Sequence, residues 1–212
     1  MKLSKLFAIL LLMMFINISC YRILLPPKID LRGYENIGIV QFKCSEAPKL
    51  EALITQKFIL EITKDQKNLG IIELGPEKEL LAALNLNVLN PDAYREIATK
   101  YNVSSIFLGE LIISDVKPSV MINPGLSYVG ARGIVDADII VKFIDLKSQK
   151  IIWTNTAKTR REVGHIGFVS GKFTFDAQDP QAAYGPMAEE LVRKVTKDFK
   201  RTYKYRCCPK HK

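Results

Sequence analysis

The clearest structural signal in this chain is residues 134–156, which read IVDADIIVKFIDLKSQKIIWTNT. Apolar and polar residues alternate through the first half of this stretch, and a period of two predicts a β-strand with one buried and one solvated face. A polar turn follows at residues 145–150, and the apolar residues of 151–155 predict an antiparallel partner strand. The apolar positions of the first strand are Val135, Ala137, Ile139, Val141 and Phe143.

The rest of the chain alternates between short apolar runs and helical patterns. Asn90 followed by Pro91 is a helix start, Asn102 can provide a left-handed stop, and Pro186 is expected in the first turn of the last helix. The order β-α-β-α-α-β-β-β-α predicts the α/β class, as a single-domain sandwich around a mixed sheet. The remaining strands are predicted at 36–42, 69–74 and 103–116, and the helices at 48–65, 77–84, 90–101 and 184–203.

The N-terminus carries an export signal. Lys2 and Lys5 precede the apolar run 6–16, which is shorter than the roughly 20 residues that a membrane-spanning helix needs. Ser19-Cys20 resembles a lipobox, in which the cysteine is acylated, although Asn17 stands where Leu is usual. The alternative is an ordinary signal peptide whose cleavage point lies near a cysteine. Cys20 is therefore predicted to be the lipid anchor that holds the protein at a membrane.

This processing divides the chain into four parts: a signal peptide at 1–19, a lipidated tether at 20–33, the α/β domain at 34–204 and a basic tail at 205–212. The formal net charge is +9, from 31 Lys and Arg against 22 Asp and Glu. A basic exported domain is expected near anionic lipid or wall polymer. No helix interleaves cations with aromatics, so nucleic acid is not an expected partner. The basic end of the chain is interpreted as a frayed terminus, with membrane contact as the alternative.

The four cysteines are Cys20, Cys44, Cys207 and Cys208. With Cys20 acylated, an oxidising envelope favours one disulfide, and Cys44 with a tail cysteine is one option that sequence cannot settle. Cys207 and Cys208 are adjacent and lack the spacing of a zinc ligand pair. No metal and no cofactor are predicted.

Catalytic motifs are sparse, so no enzyme activity is expected. His165 and His211 have no metal-ligand spacing, and no G-x-S-x-G elbow occurs. Asp136 and Asp138 share a strand face, where a solvated surface with weak pairs near Lys142 is favoured over acid–base catalysis. The rival hypothesis is an exported hydrolase that uses His165.

Three stretches resemble a known envelope family: YENIGIVQF at 34–42, REIATKYNVSSIFLGE at 95–110 and IVKFIDLKSQKIIW at 140–153. Together, over residues 34–204, they are similar to the CsgG-type curli-secretion and LpoB-type penicillin-binding-protein-activator lipoproteins. The resemblance implies a non-enzymatic lipoprotein of the outer membrane that faces the periplasm. It implies action through a periplasmic or outer-membrane protein partner, or through self-assembly, in secretion, assembly or wall synthesis.

Two further functions stay open beside this one. A subunit of an oligomeric secretion channel would insert hairpins into the membrane, and the candidate segments are 116–134 and 156–175, although neither alternates cleanly. A purely structural lipoprotein is the other. Candidate partner contacts are two apolar loop tips, since exposed apolar loops tend to mark interaction sites. Their residues are Met121, Ile122, Phe168 and Val169.

Overall fold

The computed structural model describes residues 20–44, 48–114, 117–123, 128–169, 172–177 and 180–207. The strands in these ranges are β1 Cys20–Leu25, β2 Asn36–Val40, β3 Gly70–Gly75, β4 Ser105–Ile113, β5 Lys117–Asn123, β6 Tyr128–Asp145, β7 Lys150–Val169, β8 Lys172–Ala177 and β9 Thr202–Cys207. The α-helices are α1 Lys49–Thr63, α2 Glu77–Ala83, α3 Pro91–Tyr101 and α4 Pro180–Val195. Short 3-10 helices occupy Leu31–Gly33 and Thr196–Phe199.

Seven strands form one mixed sheet, in the order β3-β2-β4-β6-β7-β8, with β5 also paired to β6. Strand β2 runs parallel to β3 and β4, whereas the pairs from β4 onward are antiparallel. Helices cover this sheet, so the predicted α/β class and single-domain sandwich with a mixed sheet are confirmed. Strands β1, β5, β8 and β9 add to the predicted order.

The predicted hairpin is the central pair β6–β7, in which Phe143 lies opposite Trp153. Asp145 closes its turn by accepting a hydrogen bond from the Ser148 backbone N–H at 2.8 Å. Both strands run further than the pattern indicated, to Tyr128 and to Val169. Four glycines lie within these extensions, where Gly130 pairs with Gly167 and Gly133 with Gly164.

One face of the sheet holds the main core, covered by α1 and α4. Aromatic rings connect its layers: Phe107 stacks on Phe143 with ring centroids 4.3 Å apart, and Trp153 meets Phe199 edge-on at 4.5 Å. Helix α1 contributes buried residues at the spacing that predicted it. These are Leu50, Ile54, Phe58 and Ile62.

Among the elements that the structure describes, α2 and α3 cover the other face, and they cover only part of it. The cap of α3 is as predicted, because the Asn90 side chain accepts from the Ala93 backbone N–H at 2.8 Å and Asn102 has the left-handed φ of 51°. This second core is smaller and lies over β2, β3 and the start of β4. It contains Val40, Leu74, Leu80, Ile97, Val103, Ile106, Ile144 and Leu146.

The last helix starts earlier than predicted. Pro186 lies inside α4, which begins at Pro180, and does not mark its first turn. A proline in a helix removes the hydrogen bond to the carbonyl four residues before it. Here that carbonyl belongs to Ala182, so one intrahelical hydrogen bond is missing between the first two turns of the helix.

The two termini also differ from the prediction. The tether was expected to lack regular structure and the tail to fray, but β1 and β9 pair as a separate two-stranded antiparallel sheet with Cys20 opposite Cys207. Cys44 lies fully buried in the main core, and the strand register does not place it beside Cys207. The structure therefore does not favour a disulfide from Cys44 to Cys207. Cys208 lies outside the described residues.

Candidate partner-binding surface

The uncovered part of the second sheet face is a broad mixed surface, which we call the open face. Its residues come from alternate positions of β4, β6 and β7, so the strand period that buries one set presents the other to solvent. Cross-strand pairs put these residues in rows. The open face consists of Leu108, Glu110 and Ile112 on β4, Asp136, Asp138, Ile140 and Lys142 on β6, and Thr154, Thr156, Lys158 and Arg160 on β7.

Ion pairs run across the open face. Asp136 Oδ1 lies 2.6 Å from Arg160 Nε on the next strand, and its other oxygen lies 3.3 Å from Lys117 Nζ. Asp138 pairs with Lys158 at 2.7 Å. The predicted pairing near Lys142 is wrong for Asp138, because its partner is Lys158 and because Lys142 lies four residue steps along the same strand, about 13 Å away.

These pairs also set the chemistry of the carboxylates. The hydrogen bond from Arg160 holds the pKa of Asp136 below its ordinary value, with Lys117 acting in the same direction. A general acid needs a pKa near the working pH, and a lowered pKa moves the group away from it. Asp136 therefore resembles a structural ion-pair partner more than an acid–base catalyst.

Two grooves border the open face. A cavity of about 590 Å³ lies beside Ile112 of β4, and it is also lined by Asp138 and Arg160 of the sheet and by Glu190 of α4. A second cavity, of about 480 Å³, lies where the sheet meets the segment after α2, which exposes Val88. The exposed fractions of Val88 and Ile112 are 59% and 45%, so both grooves present apolar side chains beside charged ones.

The outer edge of β7 is closed along part of its length. The Asn155 amide donates to the Val195 carbonyl at 2.8 Å, and Lys194 Nζ donates to the Lys158 carbonyl at 2.8 Å. Toward the hairpin turn, Ile151 and Ile152 are 57% and 44% exposed. This end of the strand therefore presents apolar surface next to the open face.

The predicted contact residues lie in strands, and not in loop tips. Met121 and Ile122 belong to β5, and Phe168 and Val169 to β7. The register brings the two pairs together, because Ile122 and Phe168 both lie opposite Val129 of β6. The turns that join these strands, 124–127 and 170–171, lie outside the described residues.

The other predicted site residues are not among the residues of the open face. Cys20 is the first residue of β1. His165 lies in β7 opposite Arg132 and Asp176, and for these three residues the structure describes the backbone register only. His211 lies outside the described residues. Among the residues that are described, no group of three or more metal-ligating side chains could hold a metal ion.

The sequence interpretation missed the cationic half of the open face. Lys158 and Arg160 share the parity of Thr154 and Thr156 on β7, and this period-two pattern opposite two aspartates was the available signal. The strand register was needed to show which cation faces which aspartate.

Comparison with known proteins adds the following. No family model matches the sequence, and no curated protein matches it. A PelC dodecamer subunit from Paraburkholderia phytofirmans is a similar solved structure, with 11% identity, coverage of 85% of this chain and 98% of that chain, and a TM-score of 0.41.

Two bacterial lipoproteins are also similar. The LpoB C-terminal domain from Salmonella enterica has 8% identity and a TM-score of 0.36, and covers 64% of this chain and 84% of its own. Lipoprotein GNA1162 from Neisseria meningitidis has 10% identity and a TM-score of 0.37, and the match covers 60% of this chain and 83% of that chain. At these TM-scores none of the three supports an argument about function. The LpoB-type resemblance thus has a counterpart among similar solved structures, and the curli-secretion type stays a prediction.

In the described part of the chain, no helix combines the length and the apolar character that crossing a membrane requires.

Proposed function

We propose that this protein is a non-enzymatic envelope lipoprotein that acts by binding a protein partner through the open face. Cys20 would carry the acyl anchor, and the domain would face the periplasm from the outer membrane. The biological role would be that of an accessory factor in secretion, assembly or wall synthesis.

The observation that carries the partner-binding proposal is the uncovered sheet face. Main-core residues fill the opposite side of the same strands, so the sheet does not need the open face for its own packing. Apolar side chains such as Ile112 lie there among cross-strand ion pairs, with Lys158 77% and Arg160 71% exposed. An apolar centre among charged groups is the usual composition of a protein-binding patch.

Site-specific photocrosslinking in cells tests this proposal. A photoreactive residue at Ile112 is expected to give a discrete adduct, whereas the same residue at Leu60 on α1, which is 61% exposed, is not. Reversing the charges of Lys158 and Arg160 should abolish the adduct. Equal adducts at both probe positions, or none at Ile112, would refute the proposal.

A matched control separates binding from folding. Lys57 on α1 and Lys64, the residue that follows this helix, are also ion-paired. Reversing both of their charges makes the same net change in charge on the covered side of the sheet. This control should leave the Ile112 adduct intact, and thermal unfolding should show that both double variants fold.

The anchor has a separate test. Cys20→Ala should release the protein from membranes, and the mass of the detergent-extracted wild type should include the acyl groups. Unchanged membrane retention of the variant, or an unmodified mature mass, would refute the anchor while leaving the open face untouched.

One observation supports the second candidate function, a subunit of an oligomeric secretion channel. The two segments proposed as membrane hairpins form β5 with the start of β6 and the end of β7 with β8, and the two hairpins pair side by side. Native mass spectrometry of the detergent-extracted protein decides between the functions. A discrete multi-subunit ring supports the channel subunit, and a monomer or dimer supports the tethered accessory factor.

A further inference from the structure

We propose that the sheet formed by β1 and β9, which we call the terminal ribbon, lies on an anionic lipid surface and fixes how the domain is oriented on the membrane. The lipid-facing role rests on the proposed anchor at Cys20, which is the first residue of the ribbon. The occupant we infer is the headgroup layer of a bilayer that contains phosphatidylglycerol or a similar anionic lipid.

The composition of the ribbon is basic and apolar. Its strands read CYRILL and TYKYRC, and they contain Arg22, Lys204 and Arg206 but no Asp or Glu. Three tyrosines alternate with these cations. Tyrosine is enriched at membrane–water interfaces, and cations near an anionic leaflet are attracted to it.

The described side chains of the ribbon are largely in solvent. Tyr21 is 49% exposed, Leu24 46% and Tyr203 54%. Leu24 and Tyr203 are direct cross-strand partners on one face of the ribbon, and Tyr21 lies on the other face. These are large exposed fractions for apolar and aromatic side chains. A two-stranded sheet is at best marginally stable in water unless it packs on something else. The ribbon is therefore expected to have a surface to lie on.

The geometry suits an interface between water and lipid. The Arg22 guanidinium lies over the Tyr203 ring, 3.6 Å from its centroid, and Leu24 is the direct cross-strand partner of Tyr203. This places a cation, an aromatic ring and an aliphatic chain side by side. Headgroup phosphates can meet the cation while the ring and the aliphatic chain enter the interfacial layer.

The base of the ribbon is held to the domain. The buried Gln66 side chain accepts from the Leu31 backbone N–H at 2.6 Å, and it donates to the carbonyls of Ile29 at 2.8 Å and Phe199 at 2.9 Å. Asp198, close to β9 in sequence, pairs with Lys28 at 3.2 Å. Both ribbon strands are thus fastened where they enter the domain, so a ribbon lying on lipid would orient the whole domain.

Lipid fits these observations better than a soluble anionic polymer. A polymer would pair with the cations, but it would leave the exposed tyrosines and leucines in water. A single acyl chain binds membranes only marginally, and stable attachment generally takes a second chain or a basic patch. Each cation near an anionic surface strengthens binding by about fivefold. Arg22, on the ribbon face of Leu24 and Tyr203, would supply such a charge beside the anchor, and Lys204 and Arg206 at the alternate positions of β9 would add to the local positive charge.

Tryptophan quenching by brominated lipid tests this inference on the full, processed protein in phosphatidylglycerol-containing vesicles. The wild type has one tryptophan, Trp153, which is buried and gives the baseline. Tyr203→Trp should be quenched by brominated phosphatidylglycerol, whereas Leu60→Trp should stay at the baseline. Adding Arg22→Glu and Lys204→Glu should reduce the Tyr203→Trp quenching by about half or more, and so should high salt.

The outcomes are distinct. No quenching at Tyr203→Trp in vesicle-bound protein, or equal quenching at Leu60→Trp, overturns the inference. A response of Tyr203→Trp to soluble anionic wall polymer but not to vesicles also overturns it. Failure of the anchor would appear differently, as an unmodified mature mass, because the quenching reports on the ribbon alone.

Discussion

Gln66→Leu should destabilise the protein by far more than the loss of one surface amide would. Gln66 is 2% exposed, and its side chain makes three hydrogen bonds to backbone groups of residues 29, 31 and 199. Leucine has a similar volume but can neither accept nor donate. The substitution therefore leaves three backbone polar groups without this partner in a buried place.

The magnitude follows from those three bonds. A net loss of about 1 kcal/mol for each gives about 3 kcal/mol of unfolding free energy. For a domain of this size, 1 kcal/mol corresponds to roughly 2–4 °C in Tm, so a decrease of roughly 6–12 °C is expected. Thermal and chemical unfolding, followed by circular dichroism, measure both quantities.

The matched control is Gln56→Leu, because the Gln56 amide is exposed and donates only to the Glu73 side chain, at 3.1 Å. That change should alter the unfolding free energy by less than about 0.5 kcal/mol. Equal effects of the two substitutions, or a decrease below about 1 kcal/mol for Gln66→Leu, would refute the view that Gln66 fastens both terminal segments.

Two other predictions concern an ion pair within helix α4 and a glycine in strand β4. The hydrogen bond from Lys194 is the largest cause that lowers the pKa of Glu190 from 4.5 to about 2. Its carboxylate therefore stabilises the fold above pH 4.5, and this contribution, about 1 kcal/mol for a partly exposed pair, is lost as pH falls toward 2. Glu190→Gln should flatten the unfolding free energy against pH in that window, and an unchanged slope would contradict the assignment. Gly109→Ala should cost about 1–3 kcal/mol, because its Cβ would lie 2.5 Å from the buried Phe42 ring. Gly33→Ala, which meets nothing within 4 Å, should be close to neutral, and similar denaturation midpoints for the two variants would show that the ring can move aside.

Much of the fold was predictable because its signals are local. The alternation of residues 134–143 requires only neighbouring side chains, and so does the Asn90-Pro91 helix start. The full length of β6 and β7 was not predictable in this way, since Gly130 and Gly167 interrupt the alternation in sequence but pair directly across the sheet. A single strand's sequence cannot show which residue its neighbour will place opposite.

The candidate site was less predictable than the fold. Asp136 and Asp138 were recognised as the solvated side of a strand, yet their partners depend on the register between β6 and β7. The contact residues Ile122 and Phe168 were treated as two separate tips, and the register joins them through Val129. Whether they bind a partner stays a prediction.

The sequence by itself determined the α/β class and the order of the central elements, and it predicts an export signal at residues 1–19. Each of these depends on the spacing and type of residues that are close in the chain. Only the tertiary structure decided that the termini pair, that Gln66 holds both of them, and that α2 and α3 leave part of the sheet uncovered. These features depend on contacts between distant residues, such as Gln66 and Phe199, whose hydrogen bond joins positions 133 residues apart. No local pattern encodes such a contact, because the two residues come within hydrogen-bonding distance only when the chain is folded.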